Sequence, residues 1–522
     1  MSPFIRRVKT SSGATAVQIM EKQGRQNKVV KHLGSAHTPA QLELLMEAGR
    51  RELAPHQDML DFADDDAGLE GFTPIVGASR SRILWQVLSK AYDDLGFDQL
   101  ADEAFRQLVL ARIIEPASKA ETVNILNRIG VEALSRRTFT TCLKRAAQRD
   151  YRAKLASVCF DHAAASSDVS LILYDVTTLY FEAENEDEVS GSNAGLRRVG
   201  YSKERRVDPQ ITVGLLVDRA GFPLEVHCFE GNRAETTTIL PVIEAFQKRN
   251  RVSDFVVVAD AGMLNATNLK ELDAAGMGFI VGARQTRAPY DLENFFHWHG
   301  DAFADGQLID TITPRRAGSV VNDLKHRAEP VWTPAMSDSW RAIWAFSTKR
   351  YRRDQKTLNA QRNRAIAAVA GDKPARKPRF VTQQASGLSF NEKAWDKACR
   401  LAGLKGYVTN IQADIMAPDE VIASYHELWR VEQSFRMSKT DLRARPIFHH
   451  TRDAIEAHLT IVMAALAVSR HLYTATGITT KRLVKQLKQL REVDIELPAG
   501  QTITAKPRID ENTQKLLNRL GH

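Results

Sequence analysis

Four cysteines in 522 residues leave little room for sulfur chemistry. Cys142, Cys159, Cys228 and Cys399 lie far apart, and none belongs to a CxxC pair. That spacing argues against a zinc ribbon or a disulfide framework and fits buried free thiols in a reducing compartment. The first residues, MSPFIRRVKTSSG, lack the apolar stretch of a signal peptide. No run of about 18 apolar residues stands out as a membrane span, and no internal repeat is evident. The expectation is a soluble, cytoplasmic protein with no membrane partner.

What is present points to a large protein with an anionic partner. The length exceeds one compact domain. A hydrophobic content of 43% supports a buried core, and a charged content of 26% is ordinary for soluble protein. The net charge of +9 favours an anion, of which nucleic acid is the usual one.

Along the chain, residues 14–20 and 28–33 read as strands around a turn near Gly24, and a helix is expected over 39–53. The acidic stretch 61–66 reads as a linker. From 79 to 164 the pattern is helical: Leu84, Val87, Leu88, Ala91 and Leu95 recur at helical spacing, and Pro116 breaks a second run. Such a module with basic edges binds DNA or serves as a packed spacer; the sequence leaves both open. Strands are then predicted at 171–174, 211–217, 223–229, 255–259 and 278–281, with helices over 235–247 and 265–275. Three strands in hairpin order followed by helix–strand–helix–strand make a mixed α/β sheet. Residues 285–405 interrupt this order. They read as an insertion with a strand at 340–347, a basic helix at 349–364 and a proline-containing basic loop at 373–379. A helix starting near Pro418 is expected to run past Lys439, followed by one over 453–473. The predicted segments are therefore 1–60, a helical and DNA-binding candidate 75–165, a core in two parts (168–284 and 406–475), the insertion 285–405, and a basic tail 476–522.

Two aspartates end apolar strands in this reading: Asp175 in LILYDVTTLYF and Asp260 in FVVVADAGM. Rim carboxylates on neighbouring strands can bridge divalent metals, and magnesium needs only a few such hard oxygen ligands. Each could equally be a cap or a turn residue. The third element is YHELWRVEQSFRMSKTDLRARPIF, where Tyr425, Glu432 and Lys439 are spaced by seven. Seven residues complete nearly two helical turns, so the three share a face. A carboxylate between a phenol and an ammonium suits phosphate chemistry, whereas a plain surface salt bridge is the structural alternative. Thr177 and Thr178 read as strand packing in preference to contacts with a metal-bound water. His449, His450 and His458 fit no zinc pattern and read as structural or DNA-facing. Trp344 and Trp429 are candidates for base stacking, with core packing expected for at least one.

These segments resemble the DDE transposases of bacterial insertion sequences, in the branch marked by Y-x2-R-x3-E-x6-K. The chain supplies Tyr425, Glu432 and Lys439 but has Leu428 at the arginine position. Arg430 or Arg436 is the candidate substitute for the missing charge. LARIIEPASKAE at 110–121 and GYVTN at 406–410 are also similar to that branch. The resemblance implies a ribonuclease-H-like mixed-sheet core with an inserted domain and an N-terminal helical domain. It implies that Asp175, Asp260 and Glu432 hold two divalent ions, magnesium or manganese, with Asp175 bridging both. The partners implied are double-stranded DNA, as terminal inverted repeats and as target, and a second copy of the chain on paired ends. Tyr425, Lys439, Arg430 and Arg436, with Lys349, Arg350, Arg352 and Arg353 of the insertion, are the implied DNA contacts. The competing readings are a catalytically silent DNA-binding descendant and a ribonuclease-H-like nuclease without strand transfer.

Overall fold

A computed structural model describes residues 3–9, 14–23, 26–53, 75–166, 169–182, 185–187, 195–201, 207–252, 255–262, 265–315, 324–371, 378–384, 387–496 and 502–522. The acidic stretch 61–66, Gly24 and most of the basic loop 373–379 fall outside them. The chain forms two compact units, 1–75 and 76–522. In the smaller, strands Phe4–Lys9, Thr15–Gln23 and Gln26–Ala36 make an antiparallel sheet, followed by helix Pro39–Leu53. The expected strands and helix are present, and Phe4–Lys9 is the third strand of this sheet.

The larger unit is organised by one eight-stranded sheet. Its strands are β1 (Leu171–Tyr180), β2 (Gln210–Asp218), β3 (Pro223–Glu230), β4 (Val256–Ala259), β5 (Gly278–Ala283), β6 (Leu308–Pro314), β7 (Ser339–Phe346) and β8 (Leu404–Thr409). Their spatial order is β6-β7-β8-β5-β4-β1-β2-β3. β1, β2 and β3 form an antiparallel meander, while β4 runs parallel to both β1 and β5. An antiparallel meander joined to parallel strands on the far side of its first strand is a ribonuclease-H-like core. β2 is buried at every residue, in keeping with its mostly apolar sequence ITVGLLV. Helix α1 (Ile239–Asn250) follows β3 after a short 3-10 turn at Glu235–Thr237, so the helix expected from 235 begins later.

The strand read as part of the insertion belongs to this sheet. β7 pairs with β8 on one side and with β6 on the other, and β8 pairs antiparallel with β5. Trp340, Ala342, Ile343 and Trp344 are buried, and a strand that apolar needs both of its faces covered. What leaves the sheet is a smaller lobe. Helix α2 (Thr348–Val369), a hairpin of Val381–Gln384 and Gly387–Phe390, and helix Glu392–Arg400 pack around Leu358, Ala365, Phe380 and Ala402.

The helical module, with helices Arg82–Asp94, Glu103–Ile114, Lys119–Arg128, Arg136–Gln148 and Tyr151–Ser166, shares the main hydrophobic core. Asp102 fixes its interior. It caps Phe105 N–H at 3.1 Å and accepts from Arg145 Nε at 2.6 Å and Tyr151 Oη at 2.8 Å. The segment after Thr476 is structured, with helices Thr480–Lys488 and Glu511–Arg519 and strands Glu492–Glu496 and Thr502–Ala505. Strand Ile75–Arg80, where a helical start was expected, completes a small sheet with these two. Helix α5 (Arg452–Thr476) is long and apolar enough by length and composition to cross a membrane, contrary to the expectation of no such run. It is a core helix instead, for 89% of the apolar window is buried inside the fold.

Candidate active site

The two aspartates meet at the middle of the sheet. Asp260 follows the last residue of β4, as its sequence suggested. Asp175 departs from expectation: it lies inside β1, because the strand continues through Val176, Thr177 and Thr178 to Tyr180. β1 stays paired with β2 as far as Tyr180↔Gln210, so these β-branched residues extend the ladder rather than turning away. The parallel pairing Leu173↔Val258, carried two residues further, sets Asp175 beside Asp260. β4 has ended there, so one edge of β1 is open next to Asp175.

The segment carrying Glu432 is divided. Helix α3 (Pro418–His426) and helix α4 (Trp429–Thr440) are separated by a turn at Glu427 and Leu428, where a single helix was expected. Both turn residues keep right-handed helical dihedrals, so the direction bends without reversing. Leu428, at the position of the signature arginine, packs against the core. Arg470, buried on α5, locks α4 in place. It donates to Ser434 Oγ at 2.7 Å and to Gln433 Oε1 at 2.8 Å, while Ser434 Oγ donates to the Gly221 carbonyl at 2.9 Å.

The ends of the segment touch the two aspartate strands. Tyr425 Oη donates to Asp260 Oδ1 at 2.7 Å, and the Ala261 N–H donates to the same oxygen at 2.8 Å. Burial, then the bond to Asp260, push the Tyr425 phenol above its ordinary range, so it remains a donor. Lys439 Nζ donates to Thr177 Oγ1. Thr177 is two residues from Asp175 and therefore on the same face of β1. Glu432 lies midway in sequence, seven residues from either anchor, and its side chain is exposed.

Lys405, which the sequence reading did not single out, stands next to this group. Its ammonium is 5.0 Å from the Tyr425 ring centroid. Burial lowers its pKa, and the Asp260 charge opposes that shift. Gly282 on β5 makes the approach possible. A Cβ there would stand 2.7 Å from Tyr425 Oη and 3.2 Å from Lys405 Nζ. The only sequence clue to Lys405 was its position just before the GYVTN segment.

The other predicted residues separate. Half-buried Arg350 acts electrostatically on Tyr425, His426 and Lys405, which brings the start of α2 to the acid site. Lys349, Arg352 and Arg353 are exposed on α2. Arg430 is paired with Glu427, and its guanidinium lies 4.9 Å from the Trp429 ring, while Arg436 is exposed. Trp344 is a core residue whose Nε1 donates to Asp291 at 3.1 Å, whereas Trp429 is 50% exposed. His458 is buried, with Nε2 3.0 Å from the Ala444 carbonyl.

Among the described residues, no three His, Cys, Asp or Glu side chains lie close enough together to hold one ion. The donor chemistry nevertheless fits a hard cation. Asp175 is half-buried, and Asp260 and Glu432 are exposed, so water can complete a shell as magnesium requires.

No curated protein matches the chain. Among solved structures it is similar to the Mos1 transposase paired-end complex with left transposon end, at 13% identity over 47% of this chain and 68% of that chain, with a TM-score of 0.16. Residues 167–468, which hold the whole sheet and all three acids, match the family described as Transposase DDE domain. The chain belongs to that transposase family.

Proposed function

We propose that the protein cuts DNA at the terminal inverted repeats of its own element and joins the freed 3′ ends to target DNA. The observation that carries this reading is the bracketing of Glu432. Tyr425 reaches Asp260, Lys439 reaches the face of β1 that bears Asp175, and Glu432 lies between them. Asp175, Asp260 and Glu432 would hold two divalent cations, magnesium or manganese, whose charge would stabilise the attacking and leaving oxygens of an in-line displacement.

The chain's own groups then have separable tasks. Tyr425 orients the Asp260 carboxylate through its hydrogen bond. Lys439, anchored beside Asp175, meets the phosphate of the strand to be cut. Lys405 and Arg350 make the opposite side of the site positive and suit the adjoining backbone. The exposed cations of α2 extend the DNA path, and two copies of the chain act on paired ends. Membership of the insertion-sequence branch with the Tyr-Arg-Glu-Lys signature is part of this proposal, with Leu428 filling the arginine position by packing.

The test is cleavage of a duplex carrying the element's terminal repeat, with magnesium or manganese, by wild type and Glu432→Gln. Nicking at the repeat boundary that the variant loses while still binding is the expected result. Binding by the wild type without cutting, on single and paired ends with both metals, would favour a silent DNA-binding protein. Equal cutting by both proteins would remove Glu432 from the site. Cutting without joined products would leave a nuclease.

A further inference from the structure

A second basic site lies at the far end of β1. A cavity of about 440 Å3 opens between the helical module and the loop that follows α4. Arg112, Ser118 and Lys119 line it from the module, and Arg443, Arg445 and Phe448 from the loop. Four of these six are cations, and no acidic side chain is among the lining residues. The nearby acids are engaged elsewhere: Glu115 pairs with Arg128 and Lys488, Glu121 with Arg128, and Asp441 with Lys481.

The cavity is built rather than incidental. Arg112 Nη1 donates to the carbonyls of Leu442 at 2.9 Å and Arg443 at 3.3 Å, tying the loop to the module. Ile447 N–H donates to the Tyr180 carbonyl at 3.1 Å, and the Arg445 guanidinium lies 5.2 Å from the Tyr180 ring centroid. The loop is thereby stitched to the strand that carries Asp175. Arg443 takes a left-handed φ of 45° at this point, which side chains rarely adopt. Lys119 is lowered by burial and then by Arg136 and Arg112, and His449 is pushed down to about 4 by burial, Lys119 and Arg112. Both shifts describe a half-enclosed positive site that an anion would relieve. Phe448 stands at the rim with 70% of its surface exposed, so its ring is accessible to a molecule that enters the cavity.

We infer that this cavity is a phosphate pocket on the DNA path, in which Arg112, Lys119, Arg443 and Arg445 receive one backbone phosphate and Phe448 stacks on the neighbouring base. The inference rests on the DNA reading above and adds a contact away from the acids. Asp175 and Tyr180 are five residues apart, roughly 17 Å at the strand rise. The phosphate therefore lies within about five nucleotides of the cut, at about 3.4 Å per nucleotide along a duplex. Stacking on Phe448 is sequence-tolerant, since every base has an aromatic face.

The experiment is a binding scan with full-length protein and the terminal-repeat duplex, in which single phosphates around the cleavage boundary are replaced by neutral methylphosphonates. Wild type is expected to lose about tenfold in affinity at one position. Lys119→Ala and Arg445→Ala are expected to bind the unmodified duplex about tenfold more weakly, with a salt slope lower by about one, and to show no further loss at that position. Lys119→Arg restores binding. Phe448→Ala alters an exposed side chain and keeps the answer available if a charge variant does not fold. Its expected loss is about fivefold on intact duplex and none when the neighbouring nucleotide is abasic. Variants that retain the wild-type methylphosphonate profile overturn the pocket, even if the protein cuts DNA. A wild type that binds with the predicted profile but never cuts defeats the cleavage reading and leaves the pocket standing. Protection by inorganic pyrophosphate with no positional effect on DNA assigns the cavity to a free phosphate compound and also overturns the proposal.

Discussion

The two halves of the large sheet treat charge in opposite ways. Near its outer edge, Arg341 on β7 is 1% exposed and fully engaged. Its Nη2 donates to Asp310 Oδ2 at 2.7 Å and its Nη1 to the carbonyls of Ile411 at 3.1 Å and Met416 at 2.7 Å. At the centre, Asp260 and Glu432 are exposed, and Asp175 borders the open end of β4. A buried charge must be satisfied by the protein itself, so a saturated ion pair marks a structural role. Carboxylates that reach water where one strand ends beside its neighbour are accessible to an external partner. The lesson is that accessibility, rather than charge, separates the two halves of the sheet.

The largest expected effect tests the central half. Asp175→Asn is predicted to reduce DNA cleavage by at least about a thousandfold with binding retained, since acids of one catalytic set act as a unit; a single-turnover nicking assay measures it. The edge half should respond in stability instead. Arg341→Ala leaves Asp310 and two carbonyls without their donor, and a loss of about 3–5 kcal/mol is expected by denaturant unfolding. If Arg341→Ala impaired only cleavage, the division between the halves would fail.

Asp291 sharpens the same contrast through pH. Burial raises its carboxyl to about 6 from an ordinary 3.8. The folded protein therefore holds this proton more tightly than the unfolded chain does. The favourable contribution is complete below about pH 4, is lost as pH rises through about 6, and stays absent above. Asp291→Asn should abolish that decline and gain up to about 3 kcal/mol at neutral pH, at about 1.4 kcal/mol per pKa unit. Thermal melts between pH 4 and 8 test it. Tyr425→Phe removes one donor from Asp260 and should lower cleavage by about tenfold, with repeat binding unchanged. The smallest effect is expected on α2. Lys349→Ala, Arg352→Ala and Arg353→Ala should each weaken repeat and random DNA alike and lower the salt slope by about one per lost contact.

Much of the fold was legible locally. The helix at Pro39–Leu53 and the strands that became β2, β3, β4 and β5 carry their own periodicity and boundaries. The continuation of β1 past Asp175 was not legible, because an aspartate in an apolar run looks like an ending unless its pairing partner is known. β6 lacked a clear signal, since its polar Asp310, Thr311 and Thr313 are satisfied by tertiary contacts, including Arg341 and Glu329. The bend at Glu427 and Leu428 was hidden for a related reason: both residues are helix-compatible, and the break is set by how α3 and α4 reach different strands.

The sequence by itself determined the chemical inventory: the three acids, the phenol and ammonium seven residues on either side of Glu432, the basic balance, and most of the helices and strands. Those properties are local, written in residue type and spacing. Only the tertiary structure decided what meets what. It brought Tyr425 to Asp260 across 165 residues, Lys439 to Thr177 across 262, and the cations at 112–119 to those at 443–445. Strand register and helix docking are settled by the burial of many distant side chains at once, and no short stretch of sequence contains that information.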